Sequence, residues 1–354
     1  MKILLLLCIG CLGGPVFAQK ANPVINRYYW FTGKIDKYPV TCHLYRVNNE
    51  FTGHYYYNST EKAIRLHGKL DNKDFLKLAH LDDGSKTSET FEGTFKDSLF
   101  SGTWSSNGKM LAFRITKQPH SNGLILDYVV SEGSKKIQTH LNHRDKLWFD
   151  AAAVWPAPQS IHAATAFLKQ VIREEMGEKK SSEDISQIML RQKNEVLNAK
   201  ASEGMYELYS LSNKLQVLYR NPRLLGLELQ TYTDQGGAHG LYAVSYTNID
   251  LEQQRRLDII DVMDTAAAGH ALNRLLQNEF RRAYHLKKEE KITDYLFNDT
   301  IPISNNFLVT GKGITFSYLP YEIGPYVMGN IALFIAYKDI DVYLKPAFKK
   351  LVGR

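Results

Sequence analysis

The chain has 354 residues, with 44 basic and 37 acidic side chains, a formal net charge of +7, 44% hydrophobic residues and three cysteines. That length can bury a core of its own and on size divides into about two domains. The basic residues come as scattered pairs such as Lys179-Lys180 and Arg281-Arg282, with Glu174-Glu175 and Glu289-Glu290 among or near them; this is a solvated mixed surface and excludes a nucleic-acid stripe.

Met1-Lys2 gives a minimal positive start, residues 3–12 a short apolar run, Gly13-Gly14-Pro15 a break, and Val16-Phe17-Ala18 small residues before Gln19. The pattern predicts a secretory signal peptide over residues 1–18, because the run is too short to span a membrane and nothing like a stop-transfer segment follows. The expected product is exported, periplasmic or extracellular, cleaved after Ala18 and without a transmembrane segment. Lipidation at Cys11 is the lesser alternative. Cleavage removes Cys8 and Cys11, so Cys42 remains without a Cys-x-x-Cys or His partner and reads as a packing residue.

Residues 24–118 form a β-rich N-terminal domain. Short strand patterns at 40–45, 53–57, 64–68, 75–78, 90–95, 100–104 and 111–115 are separated by glycine and polar turns. Their spacing predicts an all-β meander, a small barrel or a sandwich. Gly53, Gly68, Gly93 and Gly102 recur irregularly and read as bulges or strand starts, while aromatics such as Tyr55, Tyr56, Tyr57 and Trp104 fill a β core or line a sugar-binding face.

The polar, Pro- and Gly-bearing segment 118–123 is the best boundary in the chain, and residues 124–348 follow as a mixed α+β domain. After a strand at 124–130, His140 and His143 come closest to metal spacing, but they lack a third ligand nearby, so no metal or cofactor is expected. Ser160 is placed to cap a helix through 176, with Ile161, Ala164, Leu168, Val171 and Ile172 on one face and Gly177 ending it. Ser182 opens a second helix, with Ile185, Ile188, Met189 and Val196 on one side. Strands are expected near 206–211, 214–219, 225–232 and 241–249. A helix over 266–284, a short one over 292–297 and strands at 313–318 and 331–337 complete the chain. Strands and helices in groups point to α+β rather than alternating α/β.

Between two of those strands lies Gly236-Gly-Ala-His-Gly240, where three glycines crowd one histidine. Gly236, Gly237 and Gly240 read as structural turn residues, whose backbone either visits positive φ or passes too close to a neighbour for a Cβ. His239 either pins the turn through a backbone carbonyl or, with Asp234, serves as an acid–base pair. No Gly-x-Ser-x-Gly nucleophile turn is present. In Leu319-Pro-Tyr-Glu-Ile-Gly-Pro-Tyr326, two prolines restrict a loop that presents Tyr321, Glu322, Pro325 and Tyr326 as candidate binding residues; the alternative folds the tyrosines back to close the hairpin.

These pieces, in this order, resemble the PdaC/RsiV-like extracytoplasmic domain family over residues 124–348. The resemblance rests on the helical segment after Pro156, Gly236-Gly-Ala-His-Gly240, Asn248-Ile-Asp250 followed by Arg256-Leu-Asp-Ile-Ile-Asp261, and the loop ending at Tyr326 with its closing strand. Gln235 departs from the family's usual Thr or Gly. The resemblance implies an extracytoplasmic binding domain whose relatives include a lysozyme-sensing anti-sigma factor and a non-catalytic module of a peptidoglycan deacetylase. The expected function is therefore an exported, non-catalytic binding protein of the cell envelope, with a lysozyme-like protein or a peptidoglycan or other glycan as partner. An envelope hydrolase using His239 and Asp234 is the alternative.

Overall fold

The structure, a computed structural model, describes residues 24–82, 86–119, 123–137, 145–200 and 206–354. The signal peptide expected over residues 1–18, Cys11 with it, lies outside the described residues. Eight strands follow one another and close into an antiparallel barrel: β1 (Asn26–Ile35), β2 (Tyr38–Val47), β3 (Glu50–Tyr57), β4 (Ile64–Leu70), β5 (Phe75–Asp82), β6 (Lys86–Lys96), β7 (Leu99–Ser106) and β8 (Lys109–Lys117), the last pairing back onto β1. Closure leaves no unpaired sheet edge. With a period of two, Tyr29, Phe31, Val40, Cys42, Leu44, Phe51 and Tyr55 join one core that fills the barrel.

Gly53, Gly68, Gly93 and Gly102 are neither bulges nor strand starts; they lie inside strands whose register runs through them unbroken. Gly93 and Gly102 face each other across β6 and β7, and a Cβ on Gly93 would stand 2.1 Å from the Ser101 carbonyl oxygen. The irregular spacing thus records close approaches of neighbouring strands in a barrel.

The alternate residues of β1 to β3 point outward, yet Tyr28, His43, Tyr45, His54 and Tyr56 are all buried. The second part of the chain covers them. Its larger sheet has the order β14-β13-β12-β11-β10-β9, built from β9 (Leu126–Lys136), β10 (Lys146–Pro156), β11 (Ser210–Arg220), β12 (Leu224–Asp234), β13 (Leu241–Asp250) and β14 (Arg255–Arg256). Only β10 and β11 pair in parallel, and α1 (Thr165–Glu175) and α2 (Ile185–Leu197) connect them. Leu215, Val217, Leu227 and Leu229 from one face of this sheet share a core with Leu168, Ile172 and Ile188 of the two helices.

A smaller sheet, β15 (Phe307–Val309), β16 (Gly313–Tyr318) and β17 (Ile331–Ala336), packs with α4 (Thr265–Ala283), whose Leu272, Leu276 and Phe280 recur every four residues. The short helices α3 (Ile259–Val262), α5 (Tyr337–Ile340) and α6 (Pro346–Leu351) close this core. The architecture is α+β, with an all-β barrel first. No helix among the described residues is long and apolar enough to cross a membrane.

Helix starts differ from expectation for identifiable reasons. The Ser160 hydroxyl donates to the Gly123 carbonyl at 3.2 Å instead of capping, so α1 begins later and Ile161 stays 87% exposed. Asp184, not Ser182, caps α2 through the Ser186 amide. Residues 292–297 hold only a 3-10 turn, and β11 begins at Ser210, later than the strand expected over 206–211.

Candidate functional site

The turn joining β12 to β13 is built by its own polar groups. Asp234 Oδ1 accepts the Gly236 N–H at 2.9 Å, and Gly236 takes a φ of +82°, which favours glycine. His239 is exposed, and its Nδ1 donates to the Gly240 carbonyl oxygen at 3.0 Å. The Tyr326 hydroxyl donates to the same oxygen at 2.6 Å, and its ring stacks on the imidazole with centroids 3.9 Å apart. A single carbonyl therefore joins the turn to a loop 86 residues further along.

The three glycines of this turn are not equivalent. Gly240 is required for space: a Cβ there would lie 2.3 Å from the Tyr232 hydroxyl. Gly237 lies within the turn but meets neither reason for a glycine there. Its φ lies outside the left-handed region, it is exposed, and a Cβ on it would come no nearer than 4.0 Å to the His239 carbonyl oxygen. The positive φ is taken up by Gly236 and the close approach by Gly240, so a side chain at 237 would point into open space.

The loop that brings Tyr326 has its own frame. Leu319 N–H donates to Glu322 Oε2 at 2.8 Å, and Glu322 N–H returns to the Leu319 carbonyl at 3.0 Å. Glu322 is thus committed to its own turn. Tyr321 adopts φ +70°, a left-handed conformation uncommon for a bulky residue, while its N–H donates to the Gly324 carbonyl. Its side chain is 55% exposed and its ring centroid lies 5.6 Å from that of Tyr326. Pro325 leads into the 3-10 turn Tyr326–Met328. The two tyrosines divide the tasks: Tyr326 folds back onto the turn, and Tyr321 stays out. His239, Tyr326 and Tyr321 make a stepped aromatic corner.

A second polar cluster fills the seam between barrel and larger sheet. The Tyr28 hydroxyl bonds His43 Nδ1 at 2.7 Å, His54 Nε2 donates to the Leu218 carbonyl at 2.9 Å, and the two imidazoles stack with centroids 4.9 Å apart. Burial, then the Arg65 charge, lowers His54 to about 4. Burial, the neighbouring His54 and Arg220 hold His43 well below the ordinary range. Arg65 Nη2 meets the fully buried Glu228 Oε2 at 2.5 Å, and Gln230 Nε2 donates to Glu228 Oε1 at 2.6 Å. Burial alone would raise the Glu228 carboxyl; Arg65 and Gln230 overcome it and hold the group below the ordinary carboxylate range.

Cys42 is buried inside the barrel, and that burial pushes its thiol up, so the sulfur is protonated and unreactive. His140 and His143 lie outside the described residues. Among the described residues no group of three or more His, Cys, Asp or Glu side chains is placed to hold a metal ion. Sequence reasoning passes over Tyr232 and Tyr242, which pair directly across β12 and β13 beside the corner. The alternation Glu228-x-Gln230-x-Tyr232 is the signal that could have found them.

Residues 258–338 match DUF3298, a protein family of unknown function. No curated protein matches the chain. A crystal structure of a DUF3298 member from Bacteroides fragilis is similar, with 20% identity and a TM-score of 0.53, over 66% of this chain and 100% of its own. A DUF3298 protein from Pseudomonas aeruginosa aligns with 17% identity and a TM-score of 0.47, over 64% of this chain and 96% of its own. At these identities the first likeness speaks to fold alone. The DUF3298 match takes in α4, the smaller sheet and the Tyr321–Tyr326 loop, and it begins after His239 in the chain.

Proposed function

We propose that this is an exported, non-catalytic binding protein of the cell envelope whose aromatic corner recognises a glycan. The observation that carries the reading is Tyr321: a large ring, more than half exposed, held in a left-handed backbone conformation and stepped onto the Tyr326–His239 stack. Strain of that kind costs about 1–3 kcal/mol and persists where surrounding structure enforces it, commonly at ligand clamps. Flat aromatic faces suit the C–H-rich faces of sugar rings, and the rigid frame leaves little entropy to lose on binding. The resemblance to PdaC/RsiV-like domains adds the envelope as the setting and a lysozyme-like protein as the competing partner.

Against the hydrolase alternative stand the commitments of its two candidate residues. His239 Nδ1 is used by the Gly240 carbonyl, one face of its ring is covered by Tyr326, and an oxygen of Asp234 holds the Gly236 amide. The test is retention on insoluble peptidoglycan in parallel with immobilised C-type lysozyme. Retention by peptidoglycan that Tyr321→Ala removes is expected. Retention by lysozyme alone, or turnover of an acetylated or ester substrate that His239→Ala abolishes, would overturn the reading.

A further inference from the structure

The two faces of the larger sheet have different chemistry. One is apolar and carries α1 and α2. On the other, strand register lines up cross-strand rows: Glu132, Asp150, Ser212, Tyr232 and Tyr242 in one, and Val130, Ala152, Lys214, Gln230 and Val244 in the next. With strands about 4.8 Å apart, the first row runs about 19 Å across the sheet. Its far end is the aromatic corner, because the Tyr232 ring lies against Gly240, whose carbonyl holds Tyr326 and His239.

A polar sheet face is ordinarily only a solvated surface. Here it is walled. Thr52, Gly53, Arg65 and His67 of the barrel stand over it and enclose a cleft of about 500 Å³, with Lys214, Gln216 and Gln230 on the sheet side. The polar groups are also held in place by one another. Lys214 Nζ pairs with Asp150 Oδ2 at 2.8 Å, Gln216 Nε2 donates to the Tyr128 hydroxyl at 3.3 Å, and Gln230 is fixed by Glu228, itself fixed by Arg65. Each of the two glutamine amides uses its nitrogen in these bonds, which leaves its carbonyl oxygen as an acceptor.

Charge narrows the ligand. Three carboxylates (Glu50, Glu132 and Asp150) line the cleft against two cations (Arg65 and Lys214), so a polyanion is disfavoured. Planar amides and carboxylates with fixed paired donors and acceptors suit adjacent hydroxyl groups, and the tyrosines supply stacking faces.

We propose that this cleft is a second binding site for a neutral polyhydroxylated ligand, a saccharide chain that continues from the aromatic corner across the polar face beneath the barrel. The proposal rests on the glycan reading of the corner. A chain reaching both sites engages the second one intramolecularly, so affinity rises steeply with length.

Isothermal titration with the uncharged disaccharides and tetrasaccharides of the chitin, cellulose and maltose series (chitobiose and chitotetraose, cellobiose and cellotetraose, maltose and maltotetraose) tests it on the full chain. The tetrasaccharide of the preferred series binds at least tenfold tighter than the disaccharide. Thr52→Trp, which fills the cleft from the exposed barrel side without touching the sheet's hydrogen bonds, reduces that ratio to about one and leaves disaccharide affinity unchanged. Lys214→Met gives at least a fivefold loss for the tetrasaccharide. A length dependence that survives both variants overturns the cleft while the corner reading stands. Binding that Tyr321→Ala leaves intact but Thr52→Trp removes overturns the corner and keeps the cleft. Absence of binding to every saccharide overturns both.

Discussion

His54 should make this protein measurably acid-labile. Its ring sits in the barrel seam, 1% exposed, with one nitrogen given to the Leu218 carbonyl and one face on His43. Around it lie Arg65 and Glu228, while Arg220 and Tyr28 face its stacked neighbour. Burial first and the Arg65 charge second lower its pKa to about 4, against about 6.5 in an unfolded chain. The unfolded state therefore binds a proton below about 6.5 while the folded state refuses it until about 4. Stability from this group is complete above pH 6.5 and is lost as the pH falls towards 4. One pKa unit is worth about 1.4 kcal/mol, so the loss reaches about 2 kcal/mol at pH 5 and about 3 kcal/mol at pH 4. His43 is shifted in the same direction and adds to it. Urea unfolding at pH 7.5 and pH 5.0 measures the effect. His54→Gln keeps a donor for the Leu218 carbonyl without the titration, so the wild type should lose about 2 kcal/mol more than the variant over that interval. Equal losses in the two proteins would refute the argument.

Other consequences follow from single contacts. Arg65→Ala leaves the carboxylate of Glu228 buried without its guanidinium and should cost about 3 kcal/mol, read as a lower urea midpoint. Tyr321→Gly should stabilise the fold by about 1 kcal/mol, by releasing the left-handed strain, while removing peptidoglycan retention; calorimetry and the retention assay check the two halves. Gly240→Ala places a methyl carbon against the Tyr232 ring and should cost about 1–3 kcal/mol and weaken retention with it, whereas Gly237→Ala, with open space around the new methyl, should change the urea midpoint little. Gly93→Val drives a side chain into the Ser101 carbonyl and should prevent barrel closure, seen as loss of native circular dichroism.

Much of the fold is legible in sequence because its signals are local. Every strand expected in the barrel region lies inside an observed strand, since alternation and turn residues are written within a few positions of each other. Strand β10 is not legible in this way: Asp150-Ala-Ala-Ala-Val154 has few β-branched residues, and the small side chains of Ala151 and Ala153 make sense only on the face that carries α1 and α2. Ser160 misleads for a related reason, because its hydroxyl serves Gly123, 37 residues earlier in the chain. The candidate site divides along the same line. The glycine-rich turn and the proline-bound loop stand out in sequence, but their meeting at the Gly240 carbonyl does not. Nor does sequence separate Gly236 and Gly240, which the turn requires, from Gly237 between them, because the difference lies in φ and in the ring of Tyr232. The burial of outward-facing barrel residues such as His43 and Tyr45 is equally hidden, since it depends on the sheet that folds over them. The match to DUF3298 covers residues 258–338 and is silent on all of these contacts.

The most direct test of the central claim is the retention of the wild-type protein and Tyr321→Ala on purified peptidoglycan, with both shown to be equally folded. The wild type should be retained and the variant should wash through. Equal retention of the two, or passage of both with capture by C-type lysozyme instead, contradicts that claim.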